Sequence, residues 1–259
     1  MSDHDDLLRL ALTTAEAAGS LLRERFRRPA TGVASKSSAT DPVSDADRDA
    51  EALITRALHD ACPDDAVLGE EGAARAGASG RRWIVDPLDG TVNYLYGIAQ
   101  WAVSIACEDG DGLLLGVVHD PLAGETFRAL RGHGAWLGET RLEVTAGVPL
   151  ERSLVGTGFS YRAEVRAEQA GLVARVLPHV RDLRRAGSAA LDLAAVAAGR
   201  LDLFYEHGLM PWDLAAGELL VREAGGVVRE LAAETVLPAG VLAGSAEACA
   251  AMQPLLRSR

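Results

Sequence analysis

The stretch WIVDPLDGTVNYLYG, Trp83–Gly97, joins an apolar run to two carboxylates and a Gly-Thr pair. Its first three letters predict a buried strand, and Asp86 and Asp89 follow where that strand is expected to end. The proline between them fixes a turn, and the spacing of three residues lets both carboxylates converge on one point. Gly90 then lets backbone N–H groups approach an anion.

Two carboxylates that face one point repel each other, which indicates that this stretch binds a cation. The stretch contains no His or Cys, and oxygen ligands favour Mg²⁺ over zinc. Mg²⁺ sites use a few carboxylates and leave positions for water and substrate phosphate. The stretch therefore predicts a Mg²⁺ site next to a phosphate-binding turn.

Acidic residues also stand at three other junctions between predicted elements. They are Glu70 and Glu71 in VLGEEG, Asp213 in MPWDLAAGE, and Asp41, Asp45 and Asp47 in DPVSDAD. Taken singly, each has a structural interpretation that stays open. These interpretations are a helix N-cap for Asp213, the far half of a capping box for Asp47, a turn residue for Asp86, and a solvated pair for Glu70 and Glu71.

Hydrophobic periodicity predicts that the first half of the chain has helices followed by strands. Apolar residues at helical spacing predict a first helix that ends near Arg28, and Ser44 with Asp47 predicts the start of a second. We expect these two helices before the first strand. From Trp83 onward the pattern predicts a largely antiparallel meander with strands at 83–86, 102–108, 112–120 and 125–130.

In the second half of the chain, helices and strands are predicted to alternate. The expected order is a helix at 162–178, the helix SAALDLAAVAAG, the strand LDLFYE, the helix DLAAGELLVREAGG, the strands GVVREL and VLAGS, and a short terminal helix. We therefore predict a layered α-β-α-β-α sandwich, with an α+β half at 1–150 and an α/β half at 151–259. No repeat or long linker separates the halves, which favours one domain over 1–259.

The composition argues against several classes of protein. The 259 residues carry a formal net charge of −11, whereas nucleic-acid binding relies on clustered Lys and Arg. The three cysteines, Cys62, Cys107 and Cys249, form no CxxC pair and predict neither a disulfide framework nor a zinc site. An acidic N-terminus and the lack of an apolar run of about 18 residues predict no membrane segment and a cytoplasmic location.

Motifs of other catalytic classes are missing from the sequence. The chain has no G-x-S-x-G nucleophile elbow, no H-E-x-x-H zinc motif and no G-x-x-x-x-G-K-[ST] loop. The segment that begins at Asp45 starts like a calcium loop, but Ala50 stands where that loop has glycine and Arg56 where it has glutamate. The motifs therefore favour Mg²⁺ held by carboxylates.

Five segments together resemble the inositol monophosphatase family of Mg²⁺-dependent, lithium-sensitive phosphatases. The signature segments GEEG, WIVDPLDGTVNY and PWDLAAGELLVREAGG occur in the family's order, accompanied by KSSATDPVSDAD and RRAGSAALDLAAVAAGRLDLFYEHG. The combination of D-P-[LI]-D-G-T with W-D-x-A-[AG] is highly specific, and the similarity covers nearly the whole chain. The resemblance implies the layered sandwich of the inositol monophosphatase and sugar phosphatase type.

The resemblance implies a set of metal ligands. Glu70, Asp86 and the backbone carbonyl of Leu88 are implied to bind a first Mg²⁺, and Asp86, Asp89 and Asp213 a second. Glu70 is also implied to help bind a weaker third ion, which makes two to three Mg²⁺ per active site.

The resemblance also implies catalytic and substrate-binding residues. Glu70, Thr91 and Asp47 are implied to be catalytic, the last two by orienting and helping to deprotonate the attacking water. The backbone of Gly90 and Thr91 is implied to hold the phosphate, and Lys36 corresponds to a loop residue near the site. Contacts with the inositol ring are implied for Asp89, Gly187, Ser188, Ala189 and Glu206. A helix cap at Ser188 and an exposed strand end at Glu206 stay open beside these roles.

The implied activity is hydrolysis of myo-inositol 1-phosphate, or a close relative, by direct attack of water. The same scaffold serves histidinol phosphate, fructose 1,6-bisphosphate, NADP and 3′-phosphoadenosine phosphates, but GSAALD and YEHGLMPWD are more similar to the inositol type. The alternative from another class is a non-catalytic regulatory or RNA-machinery binding partner. The family usually forms homodimers, so we expect a homodimer. Ala99-Gln100 departs from the family, which commonly has a proline there, and we expect an altered loop at this point.

Overall fold

The computed structural model describes residues 3–35 and 42–257, so Lys36 and Asp41 lie outside the described residues. Its helices are α1 (Asp3–Arg25), α2 (Asp45–Ala61), α3 (Thr91–Leu95), α4 (Ala163–Val176), α5 (Ala189–Ala197), α6 (Pro211–Glu223) and α7 (Ala246–Met252). Short 3₁₀ helices span Leu150–Arg152, Leu177–His179 and Gln253–Leu256. Within the described ranges, none of the helices combines the length and the apolar character needed to cross a bilayer.

The strands form a large sheet, a small sheet and one short pair. The first ten are β1 (Ala34–Ser35), β2 (Pro42–Val43), β3 (Ala66–Gly69), β4 (Ala74–Arg75), β5 (Arg82–Asp89), β6 (Ala102–Asp109), β7 (Gly112–Asp120), β8 (Glu125–Leu130), β9 (Gly134–Leu137) and β10 (Thr140–Arg141). The remaining five are β11 (Leu154–Thr157), β12 (Asp182–Arg184), β13 (Leu203–His207), β14 (Val227–Leu231) and β15 (Gly240–Gly244). The large sheet has the order β10-β9-β8-β7-β6-β5-β3-β4, the small sheet has the order β12-β11-β13-β15-β14, and β1 pairs with β2.

The elements stack in five layers, which confirms the predicted α-β-α-β-α sandwich. Helices α1 and α2 pack on the outer face of the large sheet. Helices α5 and α6 lie between the large and the small sheet. Helices α4 and α7 cover the outer face of the small sheet. The predicted meander is also present, because β5 to β9 pair antiparallel in chain order.

Alternation along β5 explains why this strand carries its charge toward the middle of the molecule. Trp83 and Val85 pack in the outer core with α1 and α2, whereas Ile84 packs in the middle core. Successive side chains of a strand point to opposite faces, so Asp86 continues the face of Ile84. Ser104, the strand neighbour of Asp86, donates a hydrogen bond of 3.3 Å to the carbonyl oxygen of Trp212 in α6. The carboxylate therefore faces the start of α6.

The middle core joins the two halves of the chain. Val118 and Phe127 of the large sheet belong to the same buried cluster as Phe204 of the small sheet and the apolar faces of α5 and α6. Burial of apolar surface shared between the halves disfavours their independent folding. We therefore propose that residues 1–259 form one domain.

Two local expectations about strands were wrong. Strands β1 to β4 precede β5, so two helices alone do not come before the first strand. Most of these strands have two residues, too few to produce a periodic pattern, and β3 looks like a short apolar run. Strand β5 also continues to Asp89, with a register shift against β6 between Asp86 and Asp89. The shift places an irregularity of the backbone between the two carboxylates.

Candidate active site

The candidate site lies where the ends of several elements meet. Strands β3 and β5 are parallel neighbours with Gly69 opposite Val85, so the residues that follow them lie side by side. Glu70 comes directly after β3, and its N–H donates to the Val85 carbonyl oxygen at 3.2 Å. Asp213 comes from the first turn of α6, and Asp86 lies inside β5, three residues before the strand ends at Asp89.

Three carboxylates form the centre of the site. Oxygen atoms of Asp86, Asp89 and Asp213 all lie within 4.8 Å of one another. Asp86 is 1% exposed, and its Oδ1 accepts the N–H of Leu88 at 2.9 Å. Asp213 is the third residue of α6 rather than its N-cap, and its Oδ2 accepts the N–H of Met210 at 2.7 Å. The interpretation of Asp213 as the helix N-cap was thus wrong, because Met210 holds that position. The Asp213 carboxylate still stabilises the helix start.

Burial and mutual repulsion raise the pKa values of these carboxyl groups. Burial, followed by the charges of Glu70, Asp89 and Asp213, raises the pKa of Asp86 well above its ordinary value. Burial and the charge of Asp89 raise the pKa of Asp213 to about 8. Burial raises the pKa of Asp89 to about 6, against the hydrogen bonds from Ser188 and Ala190.

The donor set fits a hard divalent cation. Within residues 3–35 and 42–257, no lysine or arginine pairs with Asp86, Asp89 or Asp213. A compact group of buried carboxylates without a basic partner is stable in its charged form only when it coordinates a cation. The ligands are oxygen atoms, which suits Mg²⁺. The residues therefore fit the predicted metal.

Asp47 and Thr91 contact each other although they come from different elements. Asp47 is fully buried, and its Oδ2 accepts the N–H of Ser44 at 2.9 Å and the Ser44 hydroxyl at 2.6 Å. Its Oδ1 accepts the hydroxyl of Thr91 at 2.9 Å. The Thr91 oxygen also lies 3.1 Å from the carbonyl oxygen of Leu88. Asp47 is thus both the far half of a capping box and a partner of Thr91.

Glycine is required at the turn after Asp89. Gly90 has φ of +96°, and a Cβ there would lie 2.8 Å from the carbonyl oxygen of Gln100.

The side-chain amide of Asn93 donates to the carbonyl oxygens of Gln100 at 2.8 Å and Ala186 at 2.9 Å. The loop that departs from the family pattern is therefore tied to the segment that leads into α5.

The start of α5 contacts Asp89 directly. The Ser188 hydroxyl donates to Asp89 Oδ2 at 2.5 Å, and the N–H of Ala190 donates to the same oxygen at 2.7 Å. The Ser188 oxygen also accepts the N–H of Leu191, so this residue caps α5 at the same time. The helix-cap interpretation of Ser188 is therefore confirmed, and its implied contact with the inositol ring stays a prediction.

One cavity of about 460 Å³ gathers the predicted residues. Its lining includes every predicted site residue except Asp47, which lies behind Thr91. Those lining residues are Glu70, Asp86, Leu88, Asp89, Gly90, Thr91, Gly187, Ser188, Ala189, Glu206 and Asp213. The volume is typical of a site for a small ligand.

Comparisons with known proteins agree with this geometry. Inositol-1-monophosphatase SuhB of Mycobacterium tuberculosis (strain ATCC 25618 / H37Rv) is 47% identical over 202 residues, which are 74% of this chain and 70% of that protein. Nus factor SuhB of Escherichia coli (strain K12) is 38% identical over 255 residues, which are 97% of this chain and 96% of that protein. The structure of extragenic suppressor protein suhB from Bartonella henselae has a TM-score of 0.90 at 36% identity, over 98% of this chain and 99% of that one.

A sequence model of the inositol monophosphatase family matches residues 3–257. The chain belongs to the inositol monophosphatase family. The predicted resemblance is thereby confirmed, as is the prediction of an inositol-phosphate phosphatase at the level of the family.

Three charged residues of this inositol monophosphatase family member also line the cavity but were not predicted from the sequence: Arg162, Arg185 and Asp192. Asp192 is buried in α5, and burial followed by the charge of Asp89 raises its pKa to about 8. A lone carboxylate in the apolar segment SAALDLAAVAAG is the signal that identifies it. Arg185 opposes the raised pKa values of Asp192 and Glu206 through its positive charge. It lies in a loop without periodicity, so no pattern indicated it.

Metal-free protein is expected to become less stable as the pH rises from about 5 to 8. The folded pKa values of Asp86 and Asp213 lie above the ordinary 3.8, so the folded state keeps protons that the unfolded state releases. The free energy of unfolding therefore falls across this window, and Mg²⁺ should raise the melting temperature more at pH 8 than at pH 5.5. The measurement is thermal unfolding with chelator or Mg²⁺ at both pH values.

The Asp86→Asn variant isolates the cluster from other titrating groups. Burial lowers the pKa of His119 below 6.5, which removes stability as the pH falls and so opposes the carboxylates at the acidic end of the window. The decline from pH 5.5 to 8 should be shallower in the variant than in the wild type. Equal slopes would show that the carboxylate cluster does not cause the decline.

Proposed function

We propose that this protein is a Mg²⁺-dependent phosphomonoesterase that hydrolyses myo-inositol 1-phosphate, or a closely related inositol monophosphate, to inositol and phosphate. The observation that carries the proposal is the group of buried carboxylates, Asp86, Asp89 and Asp213, beside Glu70 in a cavity of about 460 Å³. The group needs a divalent cation, and the cavity has room for a small phosphorylated polyol.

Five residues are proposed to hold two to three Mg²⁺ ions: Glu70, Asp86, Asp89, Asp213 and the backbone carbonyl of Leu88. When bound, Mg²⁺ lowers the pKa of water and neutralises the negative charge of the phosphate. The chain itself fixes the ligand positions. The Leu88 and Met210 N–H groups hold one oxygen each of Asp86 and Asp213, which leaves the remaining lone pairs for coordination.

Thr91 and Asp47 are proposed to orient the attacking water and to accept its proton. Because the Thr91 hydroxyl donates to Asp47 Oδ1, a lone pair of the Thr91 oxygen stays available to a water in the cavity. As the water loses its proton to Thr91, the Thr91 proton can pass to Asp47. Two donors from Ser44 hold the other Asp47 oxygen, so the carboxylate cannot turn away.

Glu206 is proposed to accept a hydroxyl of the substrate ring. It lies in β13 and lines the cavity, and burial followed by the charges of Asp213 and Asp89 raises its pKa to about 8. Across the described ranges, no hydrogen bond from the protein reaches its carboxyl group. A polyol hydroxyl would supply the missing partner.

Above pH 8, where Glu206 is ionised, Glu206→Gln is expected to raise KM for inositol 1-phosphate about 10-fold with a small change in kcat, because a hydrogen bond to a charged group contributes roughly 1.5–3 kcal/mol and one to a neutral amide contributes less. Steady-state kinetics measure both constants. Glu230→Gln is the matched control, since Glu230 pairs with Val241 from the opposite side and is exposed. An unchanged KM in Glu206→Gln would remove this residue from the substrate site.

The substrate is tested by phosphate release from a panel of five compounds. The panel contains inositol 1-phosphate, histidinol phosphate, fructose 1,6-bisphosphate, NADP and 3′-phosphoadenosine 5′-phosphate, each at the same concentration with Mg²⁺. We expect the highest kcat/KM with inositol 1-phosphate. A different leading substrate would keep the chemistry and replace the inositol assignment. No release from any compound would contradict the proposed phosphatase.

A second candidate function is a non-catalytic role as a regulatory or RNA-machinery binding partner. It is supported by the Escherichia coli relative, whose name is Nus factor SuhB and which aligns over 97% of this chain. A cellular phenotype that survives in an Asp86→Asn strain would favour this role, whereas loss of the phenotype would favour catalysis. The net charge of −11 is the observation against direct nucleic-acid binding.

Three further properties are proposed from family membership. They are inhibition by lithium, assembly as a homodimer and a cytoplasmic location. Inhibition by lithium is measured with the phosphate-release assay, and assembly by the mass of the protein in solution.

A further inference from the structure

Helix α2 carries a second buried carboxylate one turn after Asp47. Glu51 follows Asp47 by four residues, so both side chains lie on the same face of the helix. Glu51 is 6% exposed. Asp47 reaches Thr91, whereas Glu51 reaches the loop that follows β3. One helix face thus contacts two separate segments of the candidate site.

The Glu51 carboxylate binds the backbone on the far side of Glu70. Its Oε2 accepts the N–H of Glu71 at 2.8 Å, and its Oε1 accepts the N–H of Ala73 at 3.0 Å. The loop is closed by the N–H of Gly69, which donates to the Ala73 carbonyl oxygen at 2.6 Å. The backbone at Glu70 is therefore fixed at two points. The N–H of Glu70 donates to the Val85 carbonyl oxygen of β5, and the Glu51 carboxylate accepts the N–H of the next residue, Glu71.

The close approach of Gly69 indicates how tightly this carboxylate is enclosed. A Cβ at residue 69 would lie 2.3 Å from Oε2 and 2.9 Å from the carboxyl carbon of Glu51. Because both oxygens are engaged by backbone N–H groups, the carboxylate cannot move aside without losing those bonds. Gly69 thus leaves the space that the Glu51 carboxylate occupies.

We propose that Glu51 is a positioning residue that sets the place of Glu70 for Mg²⁺ binding, an inference that rests on the proposed function. Two parallel N–H donors need two acceptor oxygens, which a carboxylate supplies and an amide does not. Glutamine would turn an NH₂ group toward one of the N–H donors, and the loop would shift away from it. Residues that orient metal ligands typically contribute about 10–100-fold to metal affinity.

The test is calorimetric titration of Mg²⁺ into metal-free wild-type protein and into the Glu51→Gln variant. We expect Kd for Mg²⁺ to rise about 10–100-fold in the variant. At saturating Mg²⁺ the variant should recover most of its kcat, because the coordinated site pulls Glu70 back into place. This pattern separates positioning from a general loss of folded protein, which would lower kcat at every Mg²⁺ concentration.

Glu223→Gln is the matched control for Glu51→Gln. Glu223 in α6 also accepts two backbone N–H groups of a loop, those of Gly132 and Gly134, each at 2.8 Å. It lies outside the residues that line the cavity. A similar loss of melting temperature in both variants, with weaker Mg²⁺ binding in Glu51→Gln alone, is the expected result.

A Glu70→Gln variant distinguishes failure of this inference from failure of the proposed function. If Glu70→Gln weakens Mg²⁺ binding and Glu51→Gln does not, the positioning role is overturned and the metal site stands. If neither variant weakens Mg²⁺ binding, both the positioning role of Glu51 and the proposed metal role of Glu70 are overturned. Should Glu51→Gln not fold, Gly69→Ala tests the same contact by displacing the carboxylate, and an unchanged Kd there would also overturn the inference.

Discussion

Asp86→Asn is expected to reduce Mg²⁺-dependent phosphate release by on the order of 10³-fold or more, because a bound metal contributes several kcal/mol to the rate. Asparagine keeps the shape and the Oδ1 acceptor for the Leu88 N–H, so the turn should persist. The metal-free variant should also melt at a higher temperature than the wild type, because one buried and repelled carboxyl group is gone. Phosphate-release kinetics and thermal unfolding measure the two effects.

The chain contains a matched control for this substitution. Asp120 ends β7 in the segment DPLA, as Asp86 precedes PLD in β5, and its Oδ1 likewise accepts the N–H of Leu122 at 2.9 Å. Asp120 lies outside the cavity lining, so Asp120→Asn should retain activity. Full activity in Asp86→Asn, or equal losses in both variants, would contradict the assignment of Asp86 as a metal ligand.

Thr91→Val is expected to lower kcat about 10²–10⁴-fold with little change in KM, the range typical of losing a positioned proton-transfer group. Valine keeps the branched shape of threonine but removes the hydroxyl that donates to Asp47 Oδ1. Because Asp47 is fully buried, the loss should also destabilise the fold by about 1–3 kcal/mol. Steady-state kinetics and urea unfolding measure these effects separately.

Two further variants serve as controls for Thr91→Val. Thr91→Ser keeps the hydroxyl and should retain most of the activity. Thr14→Val removes a hydroxyl buried in α1, away from the cavity, and should leave kcat unchanged. If Thr91→Val kept full kcat, proton transfer through Thr91 and Asp47 would be wrong, whatever its effect on stability.

Local patterns in the sequence predicted the features that depend on neighbouring residues. The apolar run at the start of WIVD predicted the strand that places Asp86, and the Ser44–Asp47 spacing predicted the helix start that the capping box confirms. Gly90 was expected to let backbone N–H groups approach an anion, which stays a prediction, and its φ of +96° shows that the turn favours glycine. Each of these features is decided within a few residues of chain, where periodicity and turn chemistry act.

Contacts between distant segments could not be derived from local patterns. Thr91 and Asp47 are 44 residues apart, and Ser188 and Asp89 are 99 residues apart. The resemblance to the family named these residues, but the hydrogen bonds between them emerge from the packing of α2 and α5 against the end of β5. Glu51 was missed because it looks like one more polar residue of an amphipathic helix, and only the folded loop after β3 shows its partners.

The metal dependence of catalysis is measured by following phosphate release from inositol 1-phosphate by the wild-type protein while Mg²⁺ is titrated into chelated enzyme. We expect no release in chelator and a rate that saturates with Mg²⁺, because the buried carboxylates Asp86, Asp89 and Asp213 need the cation to form the working site. Release at the same rate in chelator, or no release at saturating Mg²⁺, would contradict it.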